Sequence, residues 1–147
     1  MKFTSRNYGV EIEITTEARG GRHLTTSEIA SAIRMQGIDA RAEGYNHNSQ
    51  NHWKVITDAS CGYEIVSPIL SGSDGFEQIE KVIAGLDYVG AKVNRRCGLH
   101  VHVDARDLPK NEIAKVFLQY AKWEKTLDHI MPNSRRANNS GYARSID

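Results

Sequence analysis

The sequence has little of what marks several large classes of protein. Its 147 residues include only two cysteines, Cys61 and Cys97, without C-x-x-C spacing, which argues against a disulfide scaffold. No stretch is a continuous apolar run of about eighteen residues, so no transmembrane helix is expected. The formal net charge of +1 gives no electrostatic reason to expect binding to nucleic acid or to a membrane.

The common nucleotide-binding loops are missing as well. Neither a Walker A sequence nor G-x-G-x-x-G occurs, which excludes the P-loop and Rossmann routes to a nucleotide. Residues 1–6 do not form an apolar signal region. Hydrophobic residues at 39% and charged residues at 25% are ordinary globular values. We therefore expect one domain over residues 1–147, located in the cytoplasm.

Two stretches alternate apolar and polar residues with the period of a β-strand. Val10–Ile14 has a carboxylate at every second position, and Leu99–Asp104 has imidazoles and a carboxylate in the same pattern. Alternate side chains of a strand share one face, so the apolar residues of both stretches are expected to be buried. If both strands lie in one sheet, its opposite face collects Glu11, Glu13, His100, His102 and Asp104.

Periodicity, capping signals and turn residues predict an α+β fold. The predicted helices are Thr25–Gln36, Asp74–Val89 and Pro109–Ile130. The predicted strands are Tyr8–Thr15, Trp53–Asp58, Tyr63–Ser67, Leu99–Asp104 and a short Asp39–Ala42. This order predicts a mostly antiparallel sheet with helices packed on one face, which leaves the other face open for a ligand. Phe117 and Trp123 are expected on the buried side of the third helix.

Carboxylates are the first candidates for chemistry. Glu11 and Glu13 on one strand face would repel each other in water, and a divalent cation such as Mg²⁺ or Mn²⁺ would reverse that interaction. A solvated strand face is the alternative. Glu64 adds a carboxylate from the predicted hairpin. Asp58 is either a further ligand or the cap of a turn, through an Asx-type hydrogen bond.

Histidines and arginines are the second group of candidates. His100 and His102 on one side of a strand suit a transition metal or anionic groups, and the alternative is one exposed and one hydrogen-bonded histidine. Zinc is not favoured, because no convincing third ligand follows from the spacing. The planar guanidinium groups of Arg135 and Arg136 suit phosphate or carboxylate, unless they are solvated loop residues.

Taken together, these residues and their order resemble the amidoligases, relatives of the glutamine synthetase and glutamate–cysteine ligase superfamily that are common in phages and mobile elements. The resemblance covers nearly the whole chain. Its most specific part is the combination of Gly-Val-Glu-x-Glu with Cys-Gly-x-His-Val-His. The motifs that carry it are Tyr8–Glu13, Asp58–Ser60, Glu64–Pro68, Cys97–Asp104 and Ser134–Asn138.

The resemblance implies a sheet like part of a glutamine-synthetase-like catalytic domain, with ATP and Mg²⁺ or Mn²⁺ on the open face. The implied reaction joins a carboxylate to an amine through an acyl phosphate, on small-molecule or peptide substrates. The implied metal ligands are Glu11, Glu13, Glu64 and His100. The implied catalytic residues are His100, His102, Arg135 and Arg136. The implied nucleotide-binding residues are Arg135, Arg136 and Asn138.

One departure from the family pattern leaves alternatives open. Family members usually continue past the Ser-Arg-Arg-x-Asn segment into a second half, near which this sequence ends. The expectations are therefore a fragment, a site completed by a protein partner or a second copy, or a truncated non-catalytic relative. Such a relative would act as a protein-binding module or as a phage-encoded inhibitor of a host protein. A His/Glu metallohydrolase is a further alternative.

Overall fold

The computed structural model of the protein describes residues 5–139, 141 and 143–146. The expectation that the N-terminus lacks a signal region rests partly on residues 1–4, which lie outside the described residues. The chain divides into two compact units, Met1–Asp104 and Ala105–Asp147. No helix in the described part of the chain is long and apolar enough to span a lipid bilayer.

Each predicted helix and strand is confirmed to within about two residues at its ends. The first unit contains β1 (Tyr8–Thr15), α1 (Thr26–Met35), β2 (Ala40–Ala42), β3 (Trp53–Asp58), β4 (Gly62–Val66), α2 (Gly72–Tyr88) and β5 (Leu99–Val103). The second unit contains α3 (Lys110–Ile130) and a short 3-10 helix at Asn133–Arg135.

The strands of the first unit form one sheet with the order β2-β3-β4-β1-β5. β3 and β4 pair as the predicted antiparallel hairpin, and β1 pairs antiparallel with both β4 and β5. Only the β2–β3 pair among these strands is parallel. The predicted α+β class with a mostly antiparallel sheet is confirmed.

One face of the sheet is covered by α1 and α2. α1 begins with a capping box, in which the Thr25 hydroxyl accepts the Glu28 N–H at 3.2 Å and the Glu28 carboxylate accepts the Thr25 N–H at 2.9 Å. Ile29 and Ile33 of α1 are fully buried in the core cluster, together with residues of α2, β1, β3 and β4. Burial of such a side chain contributes about 1.5–3 kcal/mol.

The expected burial of the apolar side of β5 is wrong. Leu99 is 66% exposed, and Val101 and Val103 are each 59% exposed. The physical reason is that the core cluster under α1 and α2 draws on β1, β2, β3 and β4 and does not extend to β5, the edge strand next to β1.

The expected buried side of α3 is also wrong. Phe117 is 66% exposed and Trp123 is 53% exposed. In the second unit, the other regular element among the described residues is the 3-10 helix at Asn133–Arg135, which is too short to cover a helix of 21 residues.

Candidate functional site

The register of the sheet brings the predicted glutamates and histidines together. β1 lies between β4 and β5, so each glutamate of β1 has a neighbour on both sides. Glu11 is opposite His100 of β5, and Glu13 is opposite Glu64 of β4. Because side chains of directly opposed residues share a face, these groups converge on the side of the sheet away from α1 and α2.

Glu11 is the common partner of both histidines. His100 Nδ1 lies 2.9 Å from Glu11 Oε2, and His102 Nε2 lies 3.3 Å from the same oxygen. Burial acts to raise the pKa of Glu11, but the hydrogen bonds and positive charge of the two histidines outweigh it and lower that pKa overall. Glu11 is therefore held as a carboxylate, and both histidines contact this carboxylate.

The contact with Glu11 also sets the chemistry of His100. A carboxylate can only accept a hydrogen bond, so Nδ1 of His100 donates to Glu11. In a neutral imidazole the other nitrogen, Nε2, then keeps its lone pair. Nε2 lies 3.8 Å from Glu13 Oε1, so an imidazole nitrogen and a carboxylate oxygen face each other in the site.

Glu13 is buried and held by the backbone of the segment that leads into β5. The N–H of Gly98 donates to Glu13 Oε2 at 2.6 Å, and the N–H of Glu13 donates to the Gly98 carbonyl at 3.1 Å. Since Oε2 is used in this way, Oε1 is the oxygen that faces His100.

The pKa of Glu64 is shifted upward, in the opposite direction to the pKa of Glu11. Burial raises its pKa, and the nearby carboxylates of Glu11, Asp58 and Glu13 raise it further, while His100 opposes them. One ligand atom each from Glu11, Glu64 and His100 lies within 4.8 Å of the other two. Two carboxylate oxygens and one imidazole nitrogen at this separation fit a divalent cation, which would relieve the repulsion that Glu64 experiences.

A second group of close ligand atoms lies beside the first and was only partly anticipated from the sequence. Glu13, Asp58 and Cys61 each have one ligand atom within 4.8 Å of the others. Asp58 Oδ1 accepts the N–H groups of Ser60 at 2.7 Å and of Cys61 at 3.0 Å, so the turn-capping interpretation of Asp58 holds. Burial and the Asp58 carboxylate raise the pKa of the Cys61 thiol far above its ordinary range, so the thiol stays protonated.

The predicted anion-binding residues lie in the second unit. Arg136 Nη1 donates to the Asp128 carbonyl at 2.9 Å, and its Nη2 contacts Asn133 Oδ1. Asn138 has a left-handed backbone with φ of 63°, and its Oδ1 accepts the Ser145 N–H at 2.8 Å. Arg135 ends the 3-10 helix. The roles of Arg135, Arg136 and Asn138 in binding a nucleotide stay predictions.

Lys54 and Gly98 are the residues near the site that the sequence reasoning did not single out. Lys54 of β3 is buried, and its ammonium group donates to the Asn46 carbonyl, to Asn46 Oδ1 and to the Asn48 carbonyl at 2.9–3.0 Å. The alternation of Lys54, Ile56 and Asp58 along β3 shows only that these three side chains share a face of the sheet. For Gly98 the signal was its place two residues before His100.

A cavity of about 350 Å³ lies elsewhere in the first unit. Its lining includes Asp39, Trp53 and Glu77 and none of the predicted site residues. Trp53 Nε1 donates to Gln78 Oε1 at 3.1 Å within that lining. The candidate site is the polar face of the sheet, which is the face that carries the side chains of Glu11, Glu13, Glu64, His100 and His102. The cavity is separate from these residues.

Comparison with known proteins agrees with the motifs. The model of the family described as "putative amidoligase enzyme" matches residues 4–147. The chain therefore belongs to that family, which supports a ligase-like function. No curated protein and no solved structure matches the chain. The expected likeness of the fold to part of a glutamine-synthetase-like domain stays a prediction.

Proposed function

We propose that the protein is an ATP-dependent and Mg²⁺-dependent ligase that joins a carboxylate to an amine. The observation that carries the proposal is the convergence of Glu11, Glu64 and His100, whose ligand atoms lie within 4.8 Å of one another. Membership in the amidoligase family supplies the class of reaction. Carboxylates that can hold a divalent cation, together with arginine side chains that can bind phosphate, are features that suit the handling of a nucleoside triphosphate.

In the proposed reaction, the substrate carboxylate attacks the terminal phosphorus of ATP and ADP leaves, which gives an acyl phosphate. The amine then attacks the acyl carbon, loses a proton and displaces inorganic phosphate. Glu11, Glu13, Glu64 and His100 would hold Mg²⁺ or Mn²⁺, which shields the negative charge of the phosphates. Mn²⁺ accepts imidazole more readily than Mg²⁺ does, so His100 makes Mn²⁺ a suitable probe of the site.

We also propose that His100 and His102 lie near the metal or the phosphate that is transferred. Both are held by the Glu11 carboxylate at 2.9 Å and 3.3 Å, and this contact favours the orientation in which each ring presents its remaining nitrogen. Arg135, Arg136 and Asn138 are proposed to bind the anionic oxygens of the nucleotide, since arginine donates to phosphate through two parallel N–H groups.

The experiment is a calorimetric titration of ATP into the purified chain, with and without Mg²⁺. We expect binding that needs the metal and that disappears when Glu11→Gln and Glu13→Gln are combined. The matched control is Glu17→Gln with Glu80→Gln, which removes the same charge from two exposed glutamates outside the site. Arg135→Ala should weaken ATP binding and leave the binding of Mn²⁺ alone unchanged.

Other outcomes of this titration have a defined meaning. A folded protein that binds neither Mg²⁺ nor ATP contradicts the ligase and favours the non-catalytic protein-binding alternative. Tight binding of a transition metal that needs His100 and His102 and does not recruit ATP favours the metallohydrolase. Equal loss of binding in the control pair would show that net charge, and not the site, is responsible.

A further inference from the structure

We infer that Gly98 is a positioning residue of the candidate site, required because it has no side chain. The inference deepens the proposed function and rests on it only for the consequence for metal binding. Gly98 lies beside two of the proposed metal ligands, since its N–H donates to Glu13 Oε2 at 2.6 Å and a Cβ at this position would lie 3.0 Å from His100 Nε2.

There is little space for a side chain at position 98. A Cβ added at Gly98 would lie 3.0 Å from His100 Nε2 and 3.5 Å from both His100 Cδ2 and Glu13 Oε2. The first distance is shorter than an ordinary van der Waals contact, so the ring would have to shift by a few tenths of an ångström. Because Nδ1 of His100 is hydrogen-bonded to Glu11 at 2.9 Å, we expect this shift of the ring to weaken that hydrogen bond.

The backbone conformation at position 98 does not itself require glycine. Gly98 is not among the glycines with positive φ, so alanine meets no backbone strain there. The same is true of Gly9, which lies on β1 with Glu11 and Glu13 at alternate positions. A Cβ at Gly9 would meet only Ser67 Oγ, at an ordinary 3.5 Å. Gly9→Ala is therefore a matched control for Gly98→Ala.

The consequence concerns the nitrogen that could bind a metal. The atom that a Cβ at position 98 would approach is His100 Nε2, the same atom that keeps its lone pair when Nδ1 donates to Glu11. A methyl group at this point both displaces the ring and covers Nε2. The absence of a side chain at Gly98 thus leaves Nε2 of His100 uncrowded, while the Gly98 amide donates to the Glu13 carboxylate.

The test is a double-mutant cycle on thermal stability that needs no metal. Gly98→Ala should lower the melting temperature relative to Gly9→Ala, and most of that loss should vanish in a His100→Ala background, where the ring is gone. An equal loss in both backgrounds would show that the contact with His100 is not the reason for glycine. Nuclear magnetic resonance of the imidazole nitrogens should show the Nδ1 hydrogen bond of His100 disturbed in Gly98→Ala and intact in Gly9→Ala.

Metal affinity is the second measurement. Gly98→Ala should reduce the affinity for Mn²⁺ by about 10–100-fold, as is typical when a partner that orients a ligand is changed, and Gly9→Ala should not. Wild-type affinity in a folded Gly98→Ala variant contradicts the inference. If the wild type itself binds no Mn²⁺, the proposed function fails, and the stability cycle still decides whether Gly98 positions His100.

Discussion

Glu64 has the clearest electrostatic signature among the single residues of the site. Burial and neighbouring carboxylates raise its pKa, so its ionised form is less favourable in the folded protein than in the unfolded chain. This penalty is absent below the ordinary glutamate pKa of about 4.3 and develops as the pH rises through the raised pKa of Glu64. Wild-type stability therefore contains a pH-dependent loss that a neutral side chain at this position removes.

The prediction is that Glu64→Gln, in metal-free buffer, melts a few degrees higher than the wild type at pH 7 and at the same temperature near pH 3.5. Thermal melts followed by circular dichroism over this pH range measure it. Glu80→Gln on the exposed side of α2 is the control and should show no such pH-dependent gain. A Glu64→Gln variant less stable than the wild type at pH 7 contradicts the idea that the ionised glutamate is under repulsion.

The connection between β2 and β3 is hydrogen-bonded to one buried side chain, Lys54. The two strands are parallel, so residues 43–52 must carry the chain back along the sheet. Lys54 donates three hydrogen bonds to Asn46 and Asn48 of this connection. Near the two ends of the connection, Glu43 Oε1 lies 2.5 Å from His52 Nε2. A polar loop is thereby held against the sheet.

We predict that Lys54→Met destabilises the protein by about 1–3 kcal/mol, because the buried ammonium group and its three partly buried hydrogen bonds to the loop are lost. Hydrogen exchange measured by mass spectrometry should show faster exchange of the amides of residues 44–51, with β1 and β4 little changed. Lys81→Met is the control, since Lys81 makes an exposed ion pair with Glu77 that contributes about 0.5 kcal/mol or less. Unchanged exchange in the loop of Lys54→Met would be inconsistent with this role of the lysine.

The strands show which features of the fold can be predicted from the sequence and which cannot. The period of two in Val10–Ile14 and Leu99–Val103 predicts which side chains share a face, because alternation is a local property of a strand. It does not predict that Glu11 lies opposite His100, 89 positions away, because register depends on how distant strands pair. Burial of Lys54 and exposure of Val101 could not be predicted for the same reason, since the neighbours of a strand and not its own pattern decide them.

At the scale of the whole molecule, the two tryptophans report on different units. Trp53 is buried in the core cluster of the first unit, 1% exposed, whereas Trp123 of α3 is 53% exposed. In a Trp123→Phe background, fluorescence therefore follows the unfolding of the unit that carries the glutamates and histidines. This allows ligand binding at the sheet to be measured as a change in the stability of that unit.

A ligand that binds only the folded state stabilises it by RT ln(1 + [L]/Kd), which is about 2.7 kcal/mol at a concentration of 100 times Kd. At roughly 2–4 °C per kcal/mol for a protein of this size, Mn²⁺ should raise the melting temperature seen by Trp53 by about 5–10 °C. The shift should be absent from Glu11→Gln combined with Glu13→Gln and retained in Glu17→Gln combined with Glu80→Gln. Because carboxylate ligands must be deprotonated to bind a cation, the shift should also shrink as the pH falls. A shift of equal size in both pairs of variants would mean that the cation acts at the general surface and not at the polar face of the sheet.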